Sequence, residues 1–454
     1  MSEGVIAELA GFVAELSYRD IPEAIAVKAK HHSLDTLGAA LAGAVSQEAI
    51  RTRTMLAAAG HAGTAPLWGT GESLAPREAA LVNGIAAHAF ELDDTGGCDH
   101  SGAVVLPALL AVLPLAGRAV TGKEFLTAVV AGYDVGRRVM EGFGGYVAHN
   151  SVGWHSTGTC GAFAAAAACA SLLRLSPAQT ADCLGIAVSL ASGTWNFIHD
   201  GAMTKRLHAG RAAEGGLTAA LLAREGFSGP RRGFDDVWGG FFATYAGGRE
   251  TKVERVTQNL GRDWMLRHAA IKPYASCRDT HAAVDAIGRL IEREGLAAGD
   301  VAKVRARLNT FLNGMVGGSD VSTMPAAQMS LPYAVAARIC FGSARLSAYG
   351  EECRNAPELQ ALLGNVSILR DETVTASWAS SLIVETVDGR RFEEPTSTPL
   401  GAPDNPVSLA QLREKFDGLA ALTLPREQAD RLAETMLGLE RLDDVAALPK
   451  LLAA

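Results

Sequence analysis

Apolar and polar positions recur at close to helical spacing through the first 265 or so residues, with Gly or Pro at most of the breaks. The spacing predicts helices over 22–44, 75–90, 122–140, 157–173, 177–191 and 209–225, and Pro22 suits an early helical turn. Past residue 265 the period changes. "AKVRARLN" (Ala302 to Asn309) alternates apolar and basic residues, and "SLIVETVDGRRFEE" (Ser381 to Glu394) sets an Asp-Gly turn between two strand-like arms. Helices are predicted between them at 280–294 and 326–341. After the proline-rich "EEPTSTPLGAPDNP", helical periodicity returns from Ser408. The expectation is a mainly α protein. Residues 1–265 and 405–454 would form a large all-helical domain, discontinuous in sequence if the tail packs back onto it, and 266–404 an inserted, smaller α+β lid.

Composition refines this picture. Hydrophobic residues make up 48% of the 454 and aromatics only 6%, so the core must be built from small and aliphatic side chains at close helix contacts. A net charge of -8 without long like-charge runs argues against nucleic acid or an anionic membrane as the main partner. Seven cysteines, an odd number with no CxxC pair, read as reduced thiols and a cytoplasmic protein. The opening "MSEGVIAELAGFVAEL" lacks a basic leader and resembles an amphipathic helix. The longest uncharged run, Ser156 to Leu173, is mostly alanine and reads as a buried helix rather than a membrane span.

Four groups carry chemistry. "HAFELDDTGGCDHSGAVVLP", from His88 to Pro107, crowds His88, Glu91, Asp93, Asp94, Thr95, Asp99 and His100 beside uncharged sequence. On a helix ending near Asp94, His88 and Glu91 would share a face, as would Glu91 and Asp94. Spacing alone leaves acid–base chemistry, metal ligation and a polar helix end open, although no HExxH-type signature is present and carboxylates can serve without a metal. "GWHSTGTCG" (Gly153 to Gly161) places His155, Ser156 and Thr157 in a loop before a helix, where free N–H groups and hydroxyls suit a carboxylate cradle or a simple N-cap.

The third group, "MTKRLHAGRAAEGG" (Met203 to Gly216), concentrates Lys205, Arg206, His208 and Arg211 ahead of a helix. That arrangement opposes the macrodipole unless an anion or an acidic partner compensates. The fourth, "IKPYASCRDTH" (Ile271 to His281), carries Lys272, Cys277, Arg278 and His281. A Cys–His nucleophile at one-turn spacing is conceivable there, but no oxyanion-hole motif accompanies it. With neither GxGxxG after a strand nor GxxxxGK[ST], no nucleotide cofactor is indicated, and the protein is expected to need none.

Taken in order, "NGIAAHAFELDDT", "GWHSTGTCGAFAAAA", "TKRLHAGRAAEGG", "KPYASCRDTHAAVDAI" and "AQMSLPYAVA" resemble the MmgE/PrpD family, which includes 2-methylcitrate dehydratase, cis-aconitate decarboxylase and iminodisuccinate epimerase. The resemblance implies a helical domain with an α+β lid, a homodimer, and a cleft that takes small di- or tricarboxylates without metal or organic cofactor. Carried over position by position, it points to Glu91, Asp93, Asp94, Thr95, His100, His155, Lys205, Lys272 and Tyr333. This chain departs from the family pattern where Glu91 replaces an aspartate, and in a short Thr95 to His100 segment with no proline after the histidine.

The reaction so implied is cofactor-independent lyase chemistry next to a carboxylate, through a carbanion-like species. Dehydration of the 2-methylcitrate type is the first expectation, with epimerisation or decarboxylation as alternatives. His100, His155, Lys205, Lys272, Tyr333 and Asp93 would act on the reacting atoms. Glu91, Asp94, Thr95, Ser156, Thr157, Arg206, His208, Cys277, Arg278 and His281 would hold the substrate. A catalytically idle carboxylate-binding protein is the alternative from another class.

Overall fold

A computed structural model describes residues 4–376 and 378–454. The chain is 57% helical with 8% in strands, a mainly α fold with a smaller α+β portion. Most helices match the periodicity closely: Glu23–Gly43, Pro76–His88, Gly122–Glu141, Pro177–Val188 and His281–Glu294. Local chemistry sets several starts. Thr121 accepts from the Glu124 amide while the Glu124 carboxylate accepts from the Thr121 amide, a reciprocal cap that begins Gly122–Glu141.

Three helices depart from expectation. The run expected at 157–173 divides into Ser156–Thr159 and Gly161–Leu172. The one expected at 326–341 divides into Met324–Gln328 and Leu331–Phe341, with Pro332 in the first turn of the latter. The helix expected from 209 begins five residues earlier, as Thr204–Arg224, so Lys205 and Arg206 belong to its first turn rather than to a preceding loop.

Gly161–Leu172 is buried along nearly its whole length and packs against both Gly122–Glu141 and Thr204–Arg224. Its alanines allow that close approach from several sides, as the low aromatic content implied. A second close crossing decides the geometry of the site. Gly84 and Gly210 meet where Pro76–His88 crosses Thr204–Arg224, and a Cβ on Gly84 would lie 2.7 Å from the Gly210 Cα. This contact brings the end of one helix, with Glu91 just beyond it, to the start of the other, with Lys205.

The lid sheet has four strands in the order Val366–Arg370, Val301–Leu308, Ser381–Thr386, Arg391–Pro395. The last two form the expected hairpin, with Gly389 at φ 87° in its turn. Val366–Arg370 was not foreseen; it pairs parallel to Val301–Leu308 through a helical crossover. A two-residue ladder, Ala65–Pro66 with Ser73–Leu74, also interrupts the helical block, where no strand was expected.

Leu412, Phe416, Leu432 and Leu439 of the tail share one apolar core with Leu34, Val129 and Phe163. A second core gathers Val304, Leu382, Tyr333 and Leu359, and takes in Ala39, Ala42 and Leu92 along the seam. Lys415 ties the tail across this seam, with Nζ 2.6 Å from Asp35 Oδ1 and from the Leu92 carbonyl oxygen. Among the described residues no helix is long and apolar enough to cross a membrane.

Candidate active site

Helix Pro76–His88 stops at His88, close to the 75–90 span read from periodicity but short of the Asp94 end that would set Glu91 and Asp94 on one helical face, and Glu91 turns the chain with φ 55°. A positive φ at a residue with a side chain is uncommon, and it is held here because the carboxylate is gripped from several sides. Glu91 Oε1 lies 2.6 Å from Lys205 Nζ and 3.6 Å from Arg206, while Oε2 lies 3.3 Å from Lys272 Nζ. The acid that compensates the basic helix start is therefore Glu91 itself. Burial pushes its carboxyl upward, but Lys205, Lys272, His88 and Arg206 outweigh burial and hold it well below the usual carboxylate range.

Beyond Glu91 the loop folds around His100. Its Nδ1 lies 2.9 Å from the Asp94 carbonyl oxygen and 3.0 Å from Asp93 Oδ2. Both are acceptors, so Nδ1 carries the proton and Nε2 is the free nitrogen of the neutral ring. Nε2 faces Asp99, whose Oδ2 is 3.5 Å away. Burial lowers the His100 pKa, yet Asp99 and Asp93 prevail and raise it above the ordinary histidine value. Asp93 also bonds His88 Nδ1 at 2.9 Å, so one carboxylate orients two rings. His88, by contrast, is pushed down to about 4, chiefly by burial.

His100 lines a cavity of about 480 Å³ between the helical block and the lid, together with Glu91, Thr95, Lys205, Lys272, Cys277 and Arg278. Asp99 and Asp279 line it too; Asp99 was read from the sequence only as a member of the first cluster and a possible metal ligand, and Asp279 was not singled out. Asp99 takes a 2.8 Å hydrogen bond from Thr95 and approaches His155 Nε2 at 3.7 Å. Its place in the first cluster was a signal; its function as a hub required the fold. Asp279 is pushed up to about 7 by burial and by Asp99.

Other expected residues lie behind or away from the cavity wall. His155 is fully buried behind it, with Nδ1 2.9 Å from His208 Nδ1. Burial, His208 and Lys205 hold His155 well below its usual pKa, so it is neutral. Asp93 and Asp94 are fully buried as well. Asp94 is spent on structure, accepting from Tyr133 at 2.6 Å and the Gly102 amide at 2.9 Å, and contacting His32. Arg206 spans the seam by donating to the Ala89 carbonyl and to Gln328.

The expected cradle at Ser156 and Thr157 is not displayed to the cavity. Both residues are buried, and the Ser156 amide donates to Asn150. Tyr333 is a further correction: its hydroxyl donates to the Ala348 carbonyl at 2.6 Å inside the lid core, against Tyr349, away from the cavity. His281 contacts the Ser276 carbonyl and Arg278 rather than Cys277, whose thiol burial pushes up to about 12. That geometry gives no activated thiolate.

His88, His100 and His155 present nitrogens within 4.8 Å of one another, the group best placed to approach a metal ion among the described residues. Ligands about 2.0–2.1 Å from a tetrahedral metal lie closer together, at about 3.4 Å, so the rings would have to move inward.

A profile of the MmgE/PrpD N-terminal domain matches residues 7–254, more than half of the chain, and one of the C-terminal domain matches residues 274–441. The chain belongs to the MmgE/PrpD family. A cis-aconitate decarboxylase-like protein of Aspergillus oryzae is 30% identical to this MmgE/PrpD protein over 98% of its length and 96% of the relative's. The cis-aconitate decarboxylase of Aspergillus terreus is 30% identical, covering 99% and 96%, and that of Homo sapiens 26%, covering 100% and 95%. The C-terminal profile runs through the tail to residue 441, whereas the apolar core places tail helices Leu409–Ala420 and Arg426–Leu437 with the N-terminal block.

Proposed function

We propose that this MmgE/PrpD protein is a cofactor-independent lyase that makes or breaks a bond next to a carboxylate of a small di- or tricarboxylate. The observation that carries the proposal is His100. Its Nδ1–H is pinned by Asp94 and Asp93, and its Nε2 is turned toward a cavity walled by two buried lysines. Relatives named as cis-aconitate decarboxylases favour loss of carbon dioxide. In that reaction the C–C bond breaks, carbon dioxide leaves, and the electron pair spreads toward a neighbouring carboxylate beside the Lys205 and Lys272 ammonium groups, which Glu91 bridges on their other side. Protonated His100 then delivers its Nε2 proton to carbon. Each well-placed cationic donor contributes about 3–4 kcal/mol by analogy with oxyanion holes, and the proton carrier about 10²- to 10⁴-fold.

Dehydration is the second reading, favoured by Asp279. Near pH 7 this carboxyl is partly protonated and lines the same cavity, so it can protonate a departing hydroxyl while neutral His100 removes the α proton. His155 serves either scheme as a neutral ring behind His100.

Incubation with cis-aconitate, citrate, 2-methylcitrate and iminodisuccinate in D₂O, followed by NMR, tests the proposal. Carbon dioxide loss supports the first reading and water loss the second. Inversion would make the protein an epimerase. No exchange or turnover with the panel defeats the lyase proposal in favour of a carboxylate-binding role.

A further inference from the structure

Glu91 makes an unusual use of the cavity's cations. Lys205 and Lys272 are 2% and 0% exposed and arrive from different parts of the chain, one from the start of a helix and one from the segment leading into the lid. Two buried ammonium groups facing one cavity are a natural seat for a carboxylate. The seat is already filled. Glu91 puts Oε1 2.6 Å from one amine and Oε2 3.3 Å from the other. Among the described residues the remaining polar contacts of the lysines are uncharged: Lys205 with Met329 Sδ at 3.7 Å, and Lys272 with the Ser276 carbonyl at 3.5 Å.

We propose that Glu91 sets the carboxylate count of the substrate, occupying the place between Lys205 and Lys272 that one substrate carboxylate would otherwise take and restricting the cavity to dicarboxylates or smaller acids. This rests on the lyase reading and narrows its substrate class: a dicarboxylate is expected, and the three-carboxylate acids cis-aconitate, citrate and 2-methylcitrate are disfavoured. Volume does not decide the matter, since about 480 Å³ admits a three-carboxylate acid as readily as a two-carboxylate one. Charge does. The lining sets Lys205, Lys272, Arg137 and Arg278 against Glu91, Asp99 and Asp279. Arg137 is committed to Glu141, 2.6 Å away, and Arg278 donates to the carbonyls of Leu400 and Pro399. With Arg137 neutralised by Glu141 and Asp279 in its protonated form, Lys205, Lys272, Arg278 and protonated His100 exceed Glu91 and Asp99 by two charges, which a dianion completes. A trianion leaves negative charge uncompensated in a site where desolvation makes it expensive.

Side-chain length is part of the device. An aspartate at position 91 would hold its carboxylate about 1.5 Å farther back, the length of one C–C bond, loosening the bridge and opening the seat toward the cavity. The positive φ at Glu91 fixes the direction in which that extra reach is aimed.

The test is calorimetric binding of two saturated, unreactive acids, succinate and propane-1,2,3-tricarboxylate, to the full-length protein at pH 7. Wild type should bind succinate at least tenfold more tightly. Glu91→Asp and the neutral isostere Glu91→Gln should each shift the ratio toward the tricarboxylate by tenfold or more. Glu91→Asp keeps a charge near all three cations, so it carries the test should Glu91→Gln fail to fold. Preference of wild type for the tricarboxylate, an unchanged ratio in the folded variants, or no binding of either acid overturns the proposal. Because neither probe reacts, the ratio reports on Glu91 even if the turnover panel shows no lyase activity.

Discussion

Replacing Lys205 with Met removes one cation from the cavity while keeping a side chain of similar length. Breaking a buried ion pair generally costs about 3–5 kcal/mol because a charge is stranded. Here Glu91 is not stranded, since Lys272 at 3.3 Å and Arg206 at 3.6 Å remain beside it. The stability loss should therefore fall below that range, at about 1–3 kcal/mol, and the variant should fold. Of these two only Lys272 can serve the chemistry, because Arg206 lies outside the cavity lining. If the Lys205 ammonium meets charge that develops only in the transition state, kcat should fall by about 10²- to 10³-fold, with a smaller change in KM. The assay pairs steady-state kinetics on the best substrate of the panel with thermal unfolding. A folded Lys205→Met enzyme with kcat within a few-fold of wild type would remove the lysine from the mechanism.

Other expectations follow from the same geometry. Tyr333→Phe strips a hydroxyl from the Ala348 carbonyl in the lid core, so it should cost about 1–2 kcal/mol in denaturant unfolding and leave kcat close to wild type; a large loss of kcat without loss of stability would restore Tyr333 to the chemistry. Asp99 helps to raise the His100 pKa. If neutral His100 is the base, activity rises as pH passes that pKa, and Asp99→Asn should move the acidic limb of kcat/KM to lower pH. A limb that stays put or moves upward contradicts the assignment. Burial holds His149 down to about 4 beneath Phe143. A folded-state pKa below the unfolded value near 6.5 gives stability that is complete above pH 6.5 and is lost as pH falls toward 4, by about 3 kcal/mol. His149→Gln should flatten that part of the stability profile measured by urea unfolding, and an unchanged slope would refute the assignment.

Much of the helical architecture was legible in the sequence because helical periodicity is a local property. Apolar spacing located Gly122–Glu141 to within a residue, and the Asp-Gly turn located the lid hairpin. The parallel strand Val366–Arg370 escaped notice because its partner, Val301–Leu308, lies beyond a crossover, and neither stretch announces the other. The motifs identified the neighbourhood of the site for a similar reason: clustered histidines, lysines and carboxylates are conspicuous in a chain that is otherwise largely alanine, glycine and leucine.

What each residue does within that neighbourhood was decided by tertiary structure. Sequence placed Glu91 and Asp94 on one helical face, yet the helix ends at His88, and the two carboxylates part company. Glu91 reaches the cavity lysines, and Asp94 turns to Tyr133 and the Gly102 amide. Asp99 became a hub only when the loop folded it against His100 and His155. Tyr333 lies in a recognisable motif, but its hydroxyl is claimed by the lid core. Lys272 stands 181 residues from Glu91 along the chain. By itself the sequence determined which ionisable groups the protein possesses and which helices carry them. The choice of partner for each charge depends on distances of a few ångströms between segments far apart in the chain, and only packing such as the Gly84–Gly210 crossing sets those distances.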